Sequence, residues 1–250
     1  PPLSAQAFCN IHLSEDYKKL APITAVTLTS VLSAVYLIYL LSQSAYFSGG
    51  FFGILPKGYA FSLSDYARRG FFELCAVCAV NLAVVFLILF FVKRSADGSA
   101  AALVRLGITG ICAFSLIFAA TAISKMFLYI SFYGLTRLRL TTSIFMTALA
   151  ALFILIIIYI WAKKIPVLKC VVVCFAVIGL VTGFFDIDRT IASCNVSAYN
   201  SGALTEIDVG YLNELSDSAV PYIAKLADCE DETVRSEALN ALYIRAEKLF

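Results

Sequence analysis

Charged residues are scarce in this chain. They make up 14% of its 250 residues, against about 25% in a typical soluble domain. Hydrophobic residues make up 61%, and they are gathered in long uncharged runs instead of recurring at an amphipathic spacing. The composition therefore excludes an ordinary water-soluble domain and predicts spans of a lipid bilayer.

Histidine is almost absent, because His12 is the only one and it precedes the first apolar run. This excludes a histidine triad, a histidine-rich metal centre and a histidine phospho-acceptor within the apolar runs. The sequence also lacks a Walker loop, a dinucleotide fingerprint, and the HExxH and GxSxG motifs. We therefore expect no cofactor and no bound metal. An enzymatic function is disfavoured, and no catalytic residue is assigned.

Five apolar runs are long enough to cross a hydrocarbon core of about 30 Å as helices. A helix is required there, because the bilayer offers no hydrogen-bonding partner to an unpaired backbone group. The sequence thus predicts an all-α bundle with spans at about 23–47, 71–92, 106–123, 140–161 and 167–185. We expect a pre-membrane segment at 1–22 and a soluble tail of short helices at 186–250.

Charge is divided unevenly between the predicted membrane region and the tail. Residues 1–185 contain 14 Lys and Arg against 5 Asp and Glu, a net charge of +9, whereas residues 186–250 contain 5 against 12, a net charge of −7. Basic connectors suit the anionic headgroups beside a span, and an acidic tail disfavours nucleic acid. We expect the lipid bilayer, including its anionic headgroups, to be the partner and exclude nucleic acid.

Five spans place the N-terminal side of the membrane, called face A, opposite the side of the tail, called face B. Face A has eight basic residues: Lys18, Lys19, Lys93, Arg94, Arg105, Lys163, Lys164 and Lys169. Face B has seven: Lys57, Arg68, Arg69, Lys125, Arg137, Arg139 and Arg189. The positive-inside rule separates the faces only weakly. We predict a multi-pass protein of the cell membrane, with face A in the cytoplasm and the tail outside it.

Three polar groups on face B are candidates for ligand binding, and the first precedes the second span. It runs from Ser64 through Tyr66, Arg68 and Arg69 to Glu73. Arg69 and Glu73 are four residues apart, so they can pair on one side of a helix. The alternative is that the arginines bind lipid phosphates while Glu73 only balances Arg69.

The second group follows the third span. Lys125, Tyr129 and Tyr133 recur every four residues and share one helical side, and Arg137 and Arg139 follow in the next turn. Lys125 can extend along its own stem to face B, in which case the group needs no function. If Lys125 instead points into the bundle, it requires an acid such as the one in the first group.

The third group, Asp186, Asp188 and Arg189, lies at the exit of the fifth span. Carboxylates two residues apart do not share a helical face, which disfavours a catalytic acid and base pair. We expect a cation site, or salt bridges to arginines of the other groups. Asn195-Val-Ser197 matches a glycosylation acceptor.

Together these groups predict a polar pocket at face B that holds an anionic lipid headgroup or a similar ligand, in sensing or assembly. Guanidinium groups suit such ligands because they bind phosphate and carboxylate bidentately. The alternatives are a transporter component, for which Asn81, Thr109 and Lys125 are the only hints, and a membrane-embedded transferase that acts on a lipid-linked substrate. The predicted site comprises Tyr66, Arg68, Arg69, Glu73, Lys125, Tyr133, Arg137, Arg139, Asp186, Asp188 and Arg189.

Three stretches resemble an uncharacterised family of bacterial integral membrane proteins, the domain-of-unknown-function 4173 group, with its relative 4153. They are Tyr66-Ala-Arg-Arg-Gly-Phe-Phe-Glu73, Tyr133-Gly-Leu-Thr-Arg-Leu-Arg139, and Asp186-Ile-Asp-Arg189 with Asn195. The resemblance extends from Gln43 to Pro221. It implies further spans upstream, which agrees with a start at Pro1-Pro2-Leu3 that has no initiator methionine. The family has no assigned activity, so the resemblance implies architecture and not function.

Overall fold

The computed structural model describes residues 20–42, 63–93, 98–162 and 186–247, together with the single positions 176, 179, 180 and 183. This part of the chain is helical and contains no strand, as the sequence predicts. The helices are α1 (Pro22–Ser42), α2 (Leu63–Phe91), α3 (Gly98–Tyr133), α4 (Arg137–Ala162), α5 (Ile187–Asn200), α6 (Val209–Glu214), α7 (Val220–Leu226) and α8 (Glu232–Glu247). A 3₁₀ turn at Asp217–Ala219 leads into α7.

The first four helices contain segments that are long and apolar enough to cross a membrane. These segments are Pro22–Ser42, Arg68–Phe91, Gly98–Tyr133 and Arg137–Ala162. With a rise of 1.5 Å per residue, the 21 residues of α1 extend roughly 32 Å and the 36 residues of α3 roughly 54 Å. Four predicted spans are therefore confirmed as candidate transmembrane helices. The fifth, 167–185, lies outside the described ranges.

Helix α3 lies at the centre of the bundle, because it packs against α1, α2 and α4. The apolar core between these helices is formed by fully buried side chains that include Phe71, Ile111, Phe118, Phe153 and Ile156. The outer surfaces of the same helices also expose large apolar side chains, as expected for helices that can cross a membrane.

Small residues set the distance between α1 and α3. A Cβ atom added to Gly107 would lie 2.2 Å from Oγ1 of the buried Thr29, whereas one added to Gly110 would lie 3.5 Å from Oγ of Ser33. Glycine at position 107 is thus required by the close approach of the two helices, as at many contacts between transmembrane helices.

Backbone hydrogen bonds join the start of α1 to the end of α2 at face A. The Leu20 N–H donates to the Phe91 carbonyl at 3.1 Å, and the Lys93 N–H donates to the Leu20 carbonyl at 3.0 Å. Pro22 begins α1, where its missing N–H is not needed. The face A end of this pair is therefore fixed relative to the bundle.

The chain turns from α3 to α4 at face B through the three-residue connector 134–136. Gly134 has φ of +72°, a left-handed conformation in which glycine commonly ends a helix. Its N–H donates to the Ile130 carbonyl at 2.8 Å, which closes the last turn of α3. Helix α4 then runs antiparallel to α3.

Helices α5 to α8 form a second unit with its own apolar core, which includes Ile191, Leu212, Ile223 and Ala238. The predicted tail helices, from Asp208 to Leu215, from Ser216 to about Ala227 and from Glu232 to Leu249, correspond to α6, to the 3₁₀ turn with α7, and to α8. Helix α5 was not predicted. Its N-cap is Asp186, whose side chain accepts the Arg189 N–H at 3.0 Å.

Candidate functional site

The bundle and the tail meet at the α3–α4 connector. The side chain of Asn195 is 8% exposed and bonds the backbone of Leu135 on both sides: Oδ1 accepts the Leu135 N–H at 2.7 Å and Nδ2 donates to its carbonyl at 2.9 Å. Gly134 lies directly against the same amide, since an added Cβ would be 3.1 Å from Oδ1. The folded protein therefore leaves no room for a glycan on Asn195.

An ion pair reinforces this contact. Arg137 donates from Nε to Oδ1 of Asp188 at 2.6 Å and from Nη2 to Oδ2, which is the bidentate geometry of a guanidinium and a carboxylate. Oδ2 of Asp188 also accepts the Ser216 N–H at 2.9 Å. The Arg137 backbone N–H donates to the Tyr211 hydroxyl at 2.8 Å. One carboxylate in α5 thus links the first residue of α4 to the tail.

These bonds act on the titration of Asp188. The Arg137 guanidinium, and after it the Ser216 N–H, hold the pKa of the Asp188 carboxyl well below its usual range. The side chain of Asp188 is only 12% exposed, whereas that of Arg137 is 53% exposed. The carboxylate is therefore charged at neutral pH, and Arg137 is directed at the tail.

Arg139 closes the carboxyl end of α3. Its Nη1 donates to the carbonyls of Tyr133, at 2.7 Å, and Gly134. Its Cζ lies 4.1 Å from the centroid of the Tyr129 ring, a cation–π contact. A cation at this position satisfies carbonyls that the helix leaves without partners.

The remaining charges of the third group are bonded within the tail. Asp186 Oδ1 accepts the Ser218 hydroxyl at 2.9 Å in addition to capping α5. Arg189 Nε donates to the Tyr222 hydroxyl at 3.3 Å, and this hydrogen bond lowers the pKa of the hydroxyl. Asp186 and Asp188 therefore contact different partners and do not act as a pair.

Lys125 is fully buried in α3 and points into the bundle. The nearby acid is Glu73 of α2, whose charge acts on both Lys125 and Tyr39. The structure thus favours the second of the two alternatives for this lysine, and the acid belongs to the first sequence group. A buried ionisable residue with a named partner is a candidate functional site in a membrane protein.

The other predicted residues of the first group lie at the start of α2. Tyr66 is in its first turn, while Arg68 and Arg69 are exposed at the beginning of the apolar segment. Tyr133, from the second group, is half exposed at the end of α3, with its ring centroid 5.2 Å from that of Tyr129. The predicted site therefore divides into a contact with the tail and a separate charged group on α2 and α3.

Comparison with known proteins identifies the family. The model of a domain of unknown function, DUF4153, matches residues 3–226 of the chain. The chain belongs to the DUF4153 family. This is the relative of the 4173 group that the sequence resembles, and the 4173 group itself is not matched. No curated protein and no solved structure matches the chain.

A buried polar cluster in the middle of this DUF4153 bundle was only partly foreseen. The Tyr36 hydroxyl of α1 donates to Asn81 Oδ1 of α2, and Asn81 Nδ2 donates to Ser115 Oγ of α3 at 2.9 Å. Cys78 Sγ lies 3.5 Å from the Ser115 carbonyl. The cluster links three helices through polar side chains that would otherwise face hydrocarbon, which accounts for Asn81 by packing.

The sequence interpretation missed Asn195 and Tyr211 as contacts of the connector in this DUF4153 chain. The available signal was Asp186 followed by Ile187 and Ile191, a helix cap before apolar residues four apart. That pattern predicts α5. In a helix that begins at residue 187, Asn195 continues the four-residue spacing of Ile187 and Ile191 and lies on the same side.

Proposed function

We propose that this protein is a multi-pass protein of the cell membrane that binds an anionic lipid headgroup or a similar ligand at face B, in sensing or assembly. Support comes from Arg68 and Arg69, which are adjacent, exposed and located where the apolar segment of α2 begins. Two guanidinium groups at that depth match the phosphate layer of a bilayer. Their exposure at this boundary is the observation that carries the proposal.

The other three arginines of the predicted site contact the tail or the connector. Arg137 is bonded to Asp188, Arg139 to carbonyls of α3, and Arg189 to Tyr222. These side chains stabilise the tail and the connector. The ligand-binding part of the proposal rests on Arg68 and Arg69 because both are exposed at the start of the apolar segment of α2. The contact between the tail and the connector fixes the position of α5 relative to α3 and α4.

A reporter beside these arginines tests the proposal. Phe72 is exposed and lies four residues after Arg68, hence on the same side of α2. Phe72→Trp combined with Trp161→Phe gives a protein whose single tryptophan is at face B. In nanodiscs of phosphatidylcholine, a small fraction of brominated phosphatidylglycerol should quench this tryptophan more than brominated phosphatidylcholine does.

Replacement of both arginines, Arg68→Gln with Arg69→Gln, should reduce that preference more than tenfold, since each cation near a bilayer surface contributes about 1 kcal/mol. The matched control is Lys225→Gln with Arg235→Gln, which removes the same charge from exposed positions of the tail. An unchanged preference in the face B double variant would refute the proposal.

The fifth span and the orientation belong to the same proposal. Ala162 ends α4, and Asp186 lies beside its start through the pair of Asp188 with Arg137. The two ends of the helix are roughly 39 Å apart over its 26 residues. This separation supports the proposed fifth span at 167–185, since a helix of that length would connect the two ends.

Orientation is tested by labelling single cysteines in a background without the native ones. Ser201→Cys on the tail should react with an impermeant maleimide in intact cells, and Ser95→Cys should react only after the cells are opened. The reverse pattern would place face A outside the cytoplasm.

A transporter component is the second candidate, and Lys125 favours it. Lys125 is fully buried near Glu73, which is itself exposed on α2, and a buried ionisable residue of a membrane helix often marks an ion pathway. Flux of a labelled solute into proteoliposomes, lost in Lys125→Met, would support this function over headgroup binding. A transferase acting on a lipid-linked substrate stays a prediction from the sequence.

A further inference from the structure

A cavity of about 460 Å³ opens at face A, on the opposite side of the membrane from the proposed headgroup site. It lies between the end of α2 and the end of α4, over the first turns of α3, and Pro22 borders it on the side of α1. Its volume is within the range of small-ligand sites. None of the residues of the face B site lines it.

The lining of this cavity is amphipathic. Its walls are mostly aliphatic and include Ile88, Leu89, Val104, Ile108 and Ile160, while Lys93 and Arg105 supply two cations. The described residues of the lining include no carboxylate. Among the described residues, neither cation forms an ion pair, and Arg105 bonds only the carbonyl of Ala101, through Nε at 3.3 Å. Within the described part of the chain, the two terminal nitrogens of the Arg105 guanidinium bond no other group.

The cations and the aliphatic residues lie at different depths. Lys93 follows the end of α2, whereas Ile88 lies five residues earlier, roughly 8 Å further into the bundle. Ile108 is likewise about one turn deeper in α3 than Arg105. A ligand in this cavity would therefore meet positive charge near the headgroup layer and hydrocarbon beneath it.

Two contacts keep the cavity from closing. The backbone bonds of Leu20 to Phe91 and Lys93 fix the end of α2, and the Trp161 indole N–H donates to Thr109 Oγ1 at 3.1 Å, which fixes the end of α4 on α3. Trp161 and Thr109 do not line the cavity, and Lys93 holds the end of α2 through its backbone, not its side chain. The space is thus formed by helices whose positions are set by other contacts.

We propose that the face A cavity binds an anionic phospholipid of the surrounding bilayer, with one acyl chain between α2 and α4 and the phosphate on Lys93 and Arg105. Two cations select an anion, because no carboxylate accompanies them among the described residues of the lining. Aliphatic side chains beneath these cations favour an amphiphile over a soluble anion. This site is separate from the headgroup site proposed on face B.

The fluorescence of Trp161 reports on lipid near the cavity. Trp161 is the only tryptophan of the chain, and it directly follows Ile160, which lines the cavity. The purified full chain is placed in phosphatidylcholine nanodiscs that contain a small fraction of lipid brominated on its acyl chains. Brominated phosphatidylglycerol should quench Trp161 several-fold more than brominated phosphatidylcholine does. Equal quenching by the two lipids would overturn the proposal. The cavity would then be filled by something other than an anionic lipid, such as a second copy of the chain.

Charge variants test the headgroup contacts. Lys93→Gln and Arg105→Gln should each reduce the preference for phosphatidylglycerol about fivefold. Lys225→Gln with Arg235→Gln, on the tail, should leave it unchanged. A preference that survives the loss of both face A cations would overturn the proposal.

A filling variant tests the cavity itself. Ala101→Phe places a ring in the cavity and keeps both cations, whereas Ala102→Phe adds the same ring at an exposed neighbouring position outside the lining. Only Ala101→Phe should abolish the preference, with both variants equally monodisperse and helical. If Ala101→Phe keeps the full preference, the cations attract lipid at an open surface and no cavity site exists.

Discussion

The bundle of α1 to α4 and the tail of α5 to α8 are both helical, yet different interactions hold them. In the bundle, helices approach through small residues such as Gly107 and share one buried cluster around Asn81. In the tail, charged side chains bond helix ends, and Arg245 is the clearest case. The difference follows from the solvent, because the tail can direct charges to water while the bundle must satisfy every polar group internally.

Loss of Arg245 should have the largest effect and should be confined to the tail. Its guanidinium is 13% exposed and donates to the carbonyls of Asn213 and Leu215 at 2.8 and 2.7 Å, as well as to Asn213 Oδ1. Arg245→Met keeps the apolar stem but removes the donors. We expect a loss of about 3 kcal/mol in the free energy of unfolding of the tail.

Hydrogen exchange of α6 and α8 amides, with α3 amides as the reference, measures this loss. The control Arg235→Met removes an exposed arginine that lies 3.9 Å from Glu232 and should cost less than about 0.5 kcal/mol. Equal loss of protection in α3 would show that the bundle and the tail unfold as one unit, which would contradict the comparison.

Gly107→Ala should have the next largest effect and should act on the bundle. The added methyl group would lie 2.2 Å from Thr29 Oγ1, so α1 must move away from α3. Overpacking of this kind costs about 2 kcal/mol. The measurement is the unfolding free energy in mixed micelles.

Gly110→Ala is the matched control, since its methyl group would meet Ser33 Oγ at an ordinary 3.5 Å. That variant should be neutral or slightly stabilising, because alanine favours a helix over glycine. If both substitutions had the same effect, close approach of α1 would not be what requires glycine at position 107.

The smallest effect is expected where the two regions meet, and it depends on pH. The folded protein lowers the pKa of Asp188, so its stabilisation is present above the unfolded value of about 3.9 and is lost as the pH falls below it. Asp188→Asn should weaken the contact at neutral pH by less than about 1 kcal/mol, because Arg137 is half exposed.

Hydrogen exchange of the Leu135 and Arg137 amides reports this contact directly, because Asn195 and Tyr211 accept them. The difference between the unchanged protein and Asp188→Asn should shrink below about pH 4. Asp228→Asn, at an exposed tail position, should follow the unchanged protein throughout. A constant difference at all pH values would show that Asp188 acts through something other than its charge.

Much of the candidate site could be anticipated only as a set of alternatives. Asp188 was expected to form a salt bridge to an arginine of another group, and the structure selects Arg137. Lys125 had two equally open orientations, and burial beside Glu73 decides between them. Spacing along one helix fixes which residues share a side, but it does not fix which neighbouring helix that side meets.

The sequence pattern could not identify the partners of Asn195 and Arg245, because most of these partners are backbone groups distant in sequence. Every residue has a carbonyl and nearly every residue an N–H, so a sequence gives no sign of which ones a side chain will bond. Both residues stand in segments of ordinary polar composition. Their roles appear only when α5 and α8 are packed against the connector and α6.

The sequence by itself determined the helical spans and the tail, because long uncharged runs have one inexpensive environment and a bilayer permits one local backbone structure there. The tertiary structure alone decided how the charges were used: it bonded Arg137 to Asp188, buried Lys125 near Glu73, and left Lys93 and Arg105 at a cavity. A hydrophobic span can be predicted from a short stretch of sequence, because it depends only on the residues within that stretch. The partner of a charged side chain depends on which helices pack together.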